Sequence, residues 1–318
     1  MTPNDLRARL RDLAAPAILT VLALNGTVDV TTAQGKQPLA AGSSRTIDVG
    51  AARAASARAR QLYQQVRKDL PPPADEASMI ARKELDERFQ ELIALVLQQP
   101  AAAAGLRGAV VQDLADASLG AEPRARVAQL ALLDGDAATF AAVTRAWPLD
   151  PGAFGFESQI ALAERGFAPA KAMLREQLAE PHGPQTARVA AALAVGGDDS
   201  VRATLRPFLD ADVAAAGRDF QAFDARCHAA VAMQALGDPE PVRQLRAALV
   251  AQVEAWIASA DAQQLALADW CLQRGEYWLG AQRPRLSWPD LRLRAATPQR
   301  AQPDAAALRA RAAALAPK

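Results

Sequence analysis

Asp224-Ala-Arg-Cys-His-Ala-Ala-Val-Ala-Met-Gln-Ala-Leu-Gly237-Asp238-Pro239-Glu240-Pro241-Val242-Arg-Gln-Leu-Arg-Ala-Ala-Leu249 is the most legible stretch of this 318-residue chain. It reads as helix, turn, helix. Asp224 suits the N-cap of the first helix and Gly237 its C′ position, where a left-handed residue closes the last turn. Asp238 suits the next N-cap, with Pro239 at the first helical position. Measured from Gly237, Val242, Leu245 and Leu249 fall at plus 5, 8 and 12, one face of a helix.

The same frame recurs upstream. Gly135, Gly166 and Gly197 are 31 residues apart, and Gly237 follows after 40. Phe140, Val143 and Trp147 follow the first glycine, Leu174 and Leu178 the second, and Val201, Leu205 and Leu209 the third. Plus 8 and plus 12 are apolar in all four copies. A period of this size is the signature of stacked hairpins, since one hairpin cannot bury its apolar face alone. Leu205 and Leu245 should be core.

The Leu-Gly-Asp-Pro turn between an alanine-paired helix and a Val-x-x-Leu helix resembles a bacterial HEAT-like repeat. The likeness is specific over Ala225–Leu249 and looser over Arg124–Trp147, Ser158–Leu178 and Thr186–Leu209, covering about residues 120–250. It implies a mainly α fold, an α-solenoid of HEAT-like hairpins. Pro207 inside one second helix should kink it. The resemblance admits enzymes too. Deoxyhypusine hydroxylases hold iron through His-Glu pairs, but neither His182 nor His228 precedes Glu. HEAT-like DNA glycosylases use a strongly basic channel, which the acidic middle of this chain disfavours.

Around the repeat the chain has four parts. Residues 1–50 read as a short helix plus a small β-sheet: Leu6, Leu10 and Leu13 share a face, and Val28 and Val30 alternate with Thr27, Asp29 and Thr31. The sheet should dock on the next helix. Arg7, Arg9 and Arg11 ahead of an apolar run also fit a secretory signal over residues 1–25, against Asp5, Asp12 and a poor cleavage pattern. Residues 51–100 carry two long helices, Ala51–Leu70 up to the triple proline, and about Asp75–Leu97 with Leu85, Phe89, Leu92 and Val96 as its seam. Residues 101–280 are the expected solenoid. Asp261 should start its last helix, ending at Gly275, after which Tyr277, Trp278 and Trp288 close the stack as a hydrophobic cap or, alternatively, form an aromatic binding patch. Residues 281–318 form an irregular basic cap or tail, with a short helix over Asp304–Ala316.

Composition agrees. Alanine fills about a quarter of the positions and aromatics only 5%, which favours helix over strand. Two cysteines exclude a disulfide scaffold, and Cys227 and Cys271 should be free packed thiols. His228 should be a packing or surface residue. No run is long and apolar enough to predict a membrane span. Phosphate loops, nucleophile elbows, His-Glu-x-x-His and paired-cysteine motifs are absent, so no cofactor and no metal are expected.

Net charge is +1, but unevenly spread: +5 over 1–70, −3 over 71–100, −7 over 101–280 and +6 over 281–318. Within the solenoid the second helices are basic. Arg175, Arg206 and Arg246 sit at plus 9 from their glycines and Arg145 at plus 10. These four should line up as a ladder able to bind an acidic peptide or phosphates through bidentate hydrogen bonds. A structural alternative pairs each with an acid of the neighbouring repeat, such as Glu176. The sequence therefore predicts a non-enzymatic, cytoplasmic scaffold, adaptor or inhibitor that binds a protein partner with an acidic segment. The alternative is an enzyme or nucleic-acid-processing protein using a basic groove, and export if the signal reading holds.

Overall fold

The computed structural model describes residues 18–22, 28–32, 35–39, 44–70, 74–149, 154–179, 183–210, 213, 219–259, 261–280, 284–296 and 304–316. The expected helix around Leu6 to Leu13 lies outside them. The described chain is mainly helical and divides into two compact units, 1–153 and 154–318. No described helix is long and apolar enough to cross a membrane.

In the first unit four five-residue strands, β1 (Ile18–Leu22), β2 (Val28–Thr32), β3 (Gly35–Leu39) and β4 (Ser44–Asp48), pair as two separate antiparallel ladders. β1 pairs with β4, Ile18 opposite Asp48, and β2 with β3, Val28 opposite Leu39. Five helices follow: α1 (Val49–Val66), α2 (Glu76–Gln98), α3 (Pro100–Ala115), α4 (Ala121–Asp134) and α5 (Ala137–Ala146). The seam read in α2 is buried at Leu85, Phe89, Leu92 and Val96. Its N-terminus is a capping box: Ser78 N–H donates to Asp75 at 2.8 Å, and Asp75 N–H to Ser78 Oγ at 3.1 Å. Helix α1 ends at Val66 rather than Leu70. Arg126 of α4 donates to the carbonyls of Val66 and Lys68, both at 2.8 Å, so the final turn is closed from outside the helix. Buried Tyr63 donates to Asp113 at 2.7 Å, and Arg67 pairs with the same carboxylate at 2.9 Å.

The second unit holds α6 (Phe156–Ala163), α7 (Ala168–Leu178), α8 (Pro184–Val195), α9 (Arg202–Leu205), α10 (Phe220–Ala235), α11 (Glu240–Ala258), α12 (Ala262–Leu279), α13 (Pro289–Ala296) and α14 (Ala305–Leu315). Helices α6, α8, α10 and α12 pack one against the next, with α8 on α10 the most extensive contact. Alanine makes that closeness possible. Ala187, Ala190, Ala191 and Ala194 of α8 and Ala225, Ala229, Ala230 and Ala232 of α10 are all buried. Leu205 and Leu245 are core, at 0% and 1% exposure.

Pro207 does break its helix: α9 spans four residues between two 3-10 turns. Three expected boundaries move in this unit. Helix α11 starts at Glu240 with Pro239, not Asp238, at its N-cap. Asp224 does not cap α10; Asp219 does, accepting from Ala222 N–H at 2.9 Å. Asp224 sits one turn inside the helix and pairs with Arg274 of α12 at 2.7 Å. Helix α12 runs through Gly275 to Leu279. A β-carbon at Gly275 would lie 2.4 Å from Leu249 and 3.1 Å from Leu315. That glycine therefore admits close neighbours and ends nothing. The last helix forms as read, with Asp304 as its cap. Helix α14 packs on α11 and α12. Its Arg311 pairs with Asp269 and Glu276, and its Arg309 with Glu254.

Candidate functional site

The turn glycines set the geometry of the basic residues. Gly135, Gly166, Gly197 and Gly237 all have left-handed φ, at 78°, 80°, 87° and 88°. Three of the four turns share one hydrogen-bond pattern. Gly166 N–H donates to Ala163 and Phe167 N–H to Leu162; Gly197 to Ala194 and Asp198 to Leu193; Gly237 to Gln234 and Asp238 to Met233, all between 2.8 and 3.1 Å. That paired arrangement is the Schellman motif. Gly135 differs. Its N–H reaches Ala131 at 3.4 Å, and Asp136 caps α5 through Ala138 and Thr139.

Basic side chains from one hairpin cover the turn of the next. Lys171 of α7 donates to Gly196 O at 2.9 Å, and Arg175 to Asp198 at 2.8 Å. Arg202 of α9 donates to Leu236 O at the end of α10. Arg246 of α11 donates through Nε to Leu279 O at 2.7 Å, and through its terminal nitrogen to Gly280 O at 3.3 Å, at the end of α12. In the first unit Arg107 of α3 reaches the α4 turn, 2.7 Å from Asp134 and 3.5 Å from Asp136. Helix C-termini leave unpaired carbonyls and a negative dipole end, so cations belong there. Burial pushes Asp198 upward, but bonds from Ser200 and Arg175 outweigh it and hold its pKa below the usual carboxylate range.

The four ladder arginines consequently separate. Arg175 and Arg246 are engaged with the next turn, Arg175 through the kind of acid pairing the structural alternative foresaw, Arg246 through backbone carbonyls. Arg145 and Arg206 are exposed and have no ionic or hydrogen-bonding partner among the described residues. Arg145 belongs to the first unit and the other three to the second. Sequence reasoning missed Lys171 and Arg202 as turn-covering residues. The signal was present, since both lie at plus 5 from their glycines, one helical turn before plus 9.

Among the described residues no three His, Cys, Asp or Glu side chains are placed to share a metal ion. Cys227 and Cys271 are free and buried. Burial drives the Cys227 thiol well above its ordinary range and Cys271 up to about 12. His228 is buried edge-on against Trp278, ring centres 4.6 Å apart, with neither nitrogen hydrogen-bonded among the described residues. Burial, with Arg188 and Arg274 nearby, lowers its pKa to about 3. His182 lies outside the described residues.

A second constellation was not foreseen. Glu157 on α6, Glu164 at its C-terminal end, Arg188 on α8 and Tyr277 on α12 all bond to the non-helical residues 285–288. Nothing local in the sequence announces it, because its partners are 8 to 131 positions apart.

No family model matches the chain, and no curated protein or solved structure matches it.

Proposed function

We propose that the chain is a HEAT-like repeat protein that binds a partner protein, as a scaffold, adaptor or inhibitor, with the N-terminal β segment as an appendage to its helices. The observation that supports this reading is the serial equivalence of three Schellman turns, two of them reached by a basic side chain of the preceding hairpin. Stacked units of this kind present one extended face, and repeat proteins bind through such faces. Exposed Arg206, without an ionic or hydrogen-bonding partner among the described residues, and half-exposed Arg175 beside the Gly197 turn give that face in the second unit a chemistry suited to carboxylates. Arg145, exposed on the first unit, has the same chemistry there.

A labelled polyglutamate peptide tests the proposal on the full chain. Binding should weaken with salt and be lost in the double variant Arg145→Glu, Arg206→Glu at unchanged melting temperature. Arg246→Glu should instead lower melting, because its guanidinium holds the end of α12. Peptide binding that survives the double reversal removes these arginines from the site.

A further inference from the structure

Residues 285–288, Arg-Leu-Ser-Trp, lie between α12 and α13 and belong to no helix or strand, yet Leu286, Ser287 and Trp288 are 0%, 1% and 7% exposed. Buried backbone outside regular structure needs partners for its polar groups. Here they come from distant side chains. Tyr277 donates to Arg285 O at 2.6 Å, and Arg188 Nε donates to Leu286 O at 2.8 Å. Leu286 N–H donates to Glu164, and Trp288 N–H to Glu157, which also pairs with Arg188. Ser287 Oγ bonds the other oxygen of Glu164 at 3.3 Å.

This groove reads a backbone. Its polar groups alternate acceptor and donor along the segment, as a sheet edge does for an added strand. It is also built around an occupant. Burial raises the Glu164 pKa, and of the groups that oppose that rise Leu286, Arg285 and Ser287 belong to the segment itself, while Arg292 belongs to α13 directly after it. The segment does not fit for local reasons. Trp288 has φ +48°, a conformation that bulky residues avoid, and it precedes Pro289. Docking, not intrinsic preference, holds it there.

We propose that the groove formed by α6, α8 and α12 is a peptide-docking site, closed in the resting chain by residues 285–288. The partner it takes presents the same chemistry in an extended run: a basic residue, then an aliphatic, a small hydroxyl and an aromatic one. Complementary charge supports this occupant, because Glu157 and Glu164 face a segment flanked by Arg285 and Arg292. The site uses none of the arginines of the proposed face and does not rest on it.

The test is a labelled peptide, Pro-Arg-Leu-Ser-Trp-Pro-Asp-Leu-Arg, added to the full chain. The wild type should bind it weakly, because its own segment competes. The double variant Leu286→Ala, Trp288→Ala should bind it at least tenfold more tightly. The same peptide with its Leu and Trp replaced by Ala should not bind, and polyglutamate should not compete. A double variant of unchanged helical circular dichroism that fails to bind, or that binds both peptides equally, overturns the proposal. If that variant loses its helical signal, a photo-crosslinking peptide on the wild type decides. Labelling of α6, α8 or α12 that unlabelled peptide suppresses supports the site; labelling elsewhere, or none, overturns it.

Discussion

The exposed glycine turns of the second unit and the buried segment 285–288 face one problem, backbone polar groups left without a helix or strand partner, and meet it in opposite ways. At Gly166, Gly197 and Gly237 the amides of two successive residues return to carbonyls three and five positions back. Satisfaction is local, so it leaves a local signature: a glycine, an acid or proline after it, and a fixed offset to the next apolar face. Along 285–288 most bonds cross to distant elements: Glu157, Glu164, Arg188 and Tyr277 supply what the chain does not, and only Arg292 of the adjoining α13 contributes from nearby, to the carbonyls of Ser287 and Trp288. A turn of the first kind can be read from ten residues. A segment of the second kind needs the fold first.

That difference explains what was legible. The alanine pairs, the seam of α2, the break at Pro207 and the cap at Asp304 are nearest-neighbour physics. Asp224 misled because it has cap chemistry, while Asp219, one helical turn earlier, has it too. The choice fell to the tertiary partner Arg274. Gly275 misled for a related reason, since a glycine late in a helix can mark its end or admit a neighbour, and Leu249 and Leu315 set which. The basic character of the second helices was readable. Which of these residues meet the next turn, as Lys171, Arg175, Arg202 and Arg246 do, and which stay exposed, as Arg145 and Arg206 do, was not, because it depends on which hairpin end lies against them.

The contrast can be sharpened by removing one partner on each side. The larger effect belongs to the segment. Arg188→Met should cost about 2–3 kcal/mol, because it leaves Leu286 O without its donor and Glu157 without its cation in a largely buried place. Urea unfolding measures it. A loss under about 0.5 kcal/mol would mean water replaces the guanidinium freely and the groove is not built as described.

His228 gives the next effect. Its folded pKa of about 3 lies below the unfolded value near 6.5. Between those limits the unfolded chain binds a proton that the folded chain does not, so stability falls as pH falls through that window. The slope from this residue approaches about 1.4 kcal/mol per pH unit. The stability difference between wild type and His228→Phe should therefore shift toward the variant on acidification from pH 6 to pH 4. Parallel pH profiles would show that the imidazole is not held neutral.

The smallest effect belongs to the turns. Arg175 is 53% exposed, so Arg175→Met should cost only about 0.5 kcal/mol, less at high salt. A loss several times larger would show that these bridges hold the stack together rather than trim it.

The equivalence of the three turns is the claim on which the repeat stands, and three alanine substitutions test it most directly. A β-carbon at Gly197 or Gly237 would meet nothing within 4 Å, and at Gly166 only Gly196 O at 3.8 Å. Each variant therefore reports the cost of left-handed backbone and little else. Gly166→Ala, Gly197→Ala and Gly237→Ala should each lose about 1–2 kcal/mol in urea unfolding, alike within about 0.5 kcal/mol. A substitution that costs nothing, or one that costs several times the others, would show that the turns are not copies of one another and would contradict the repeat.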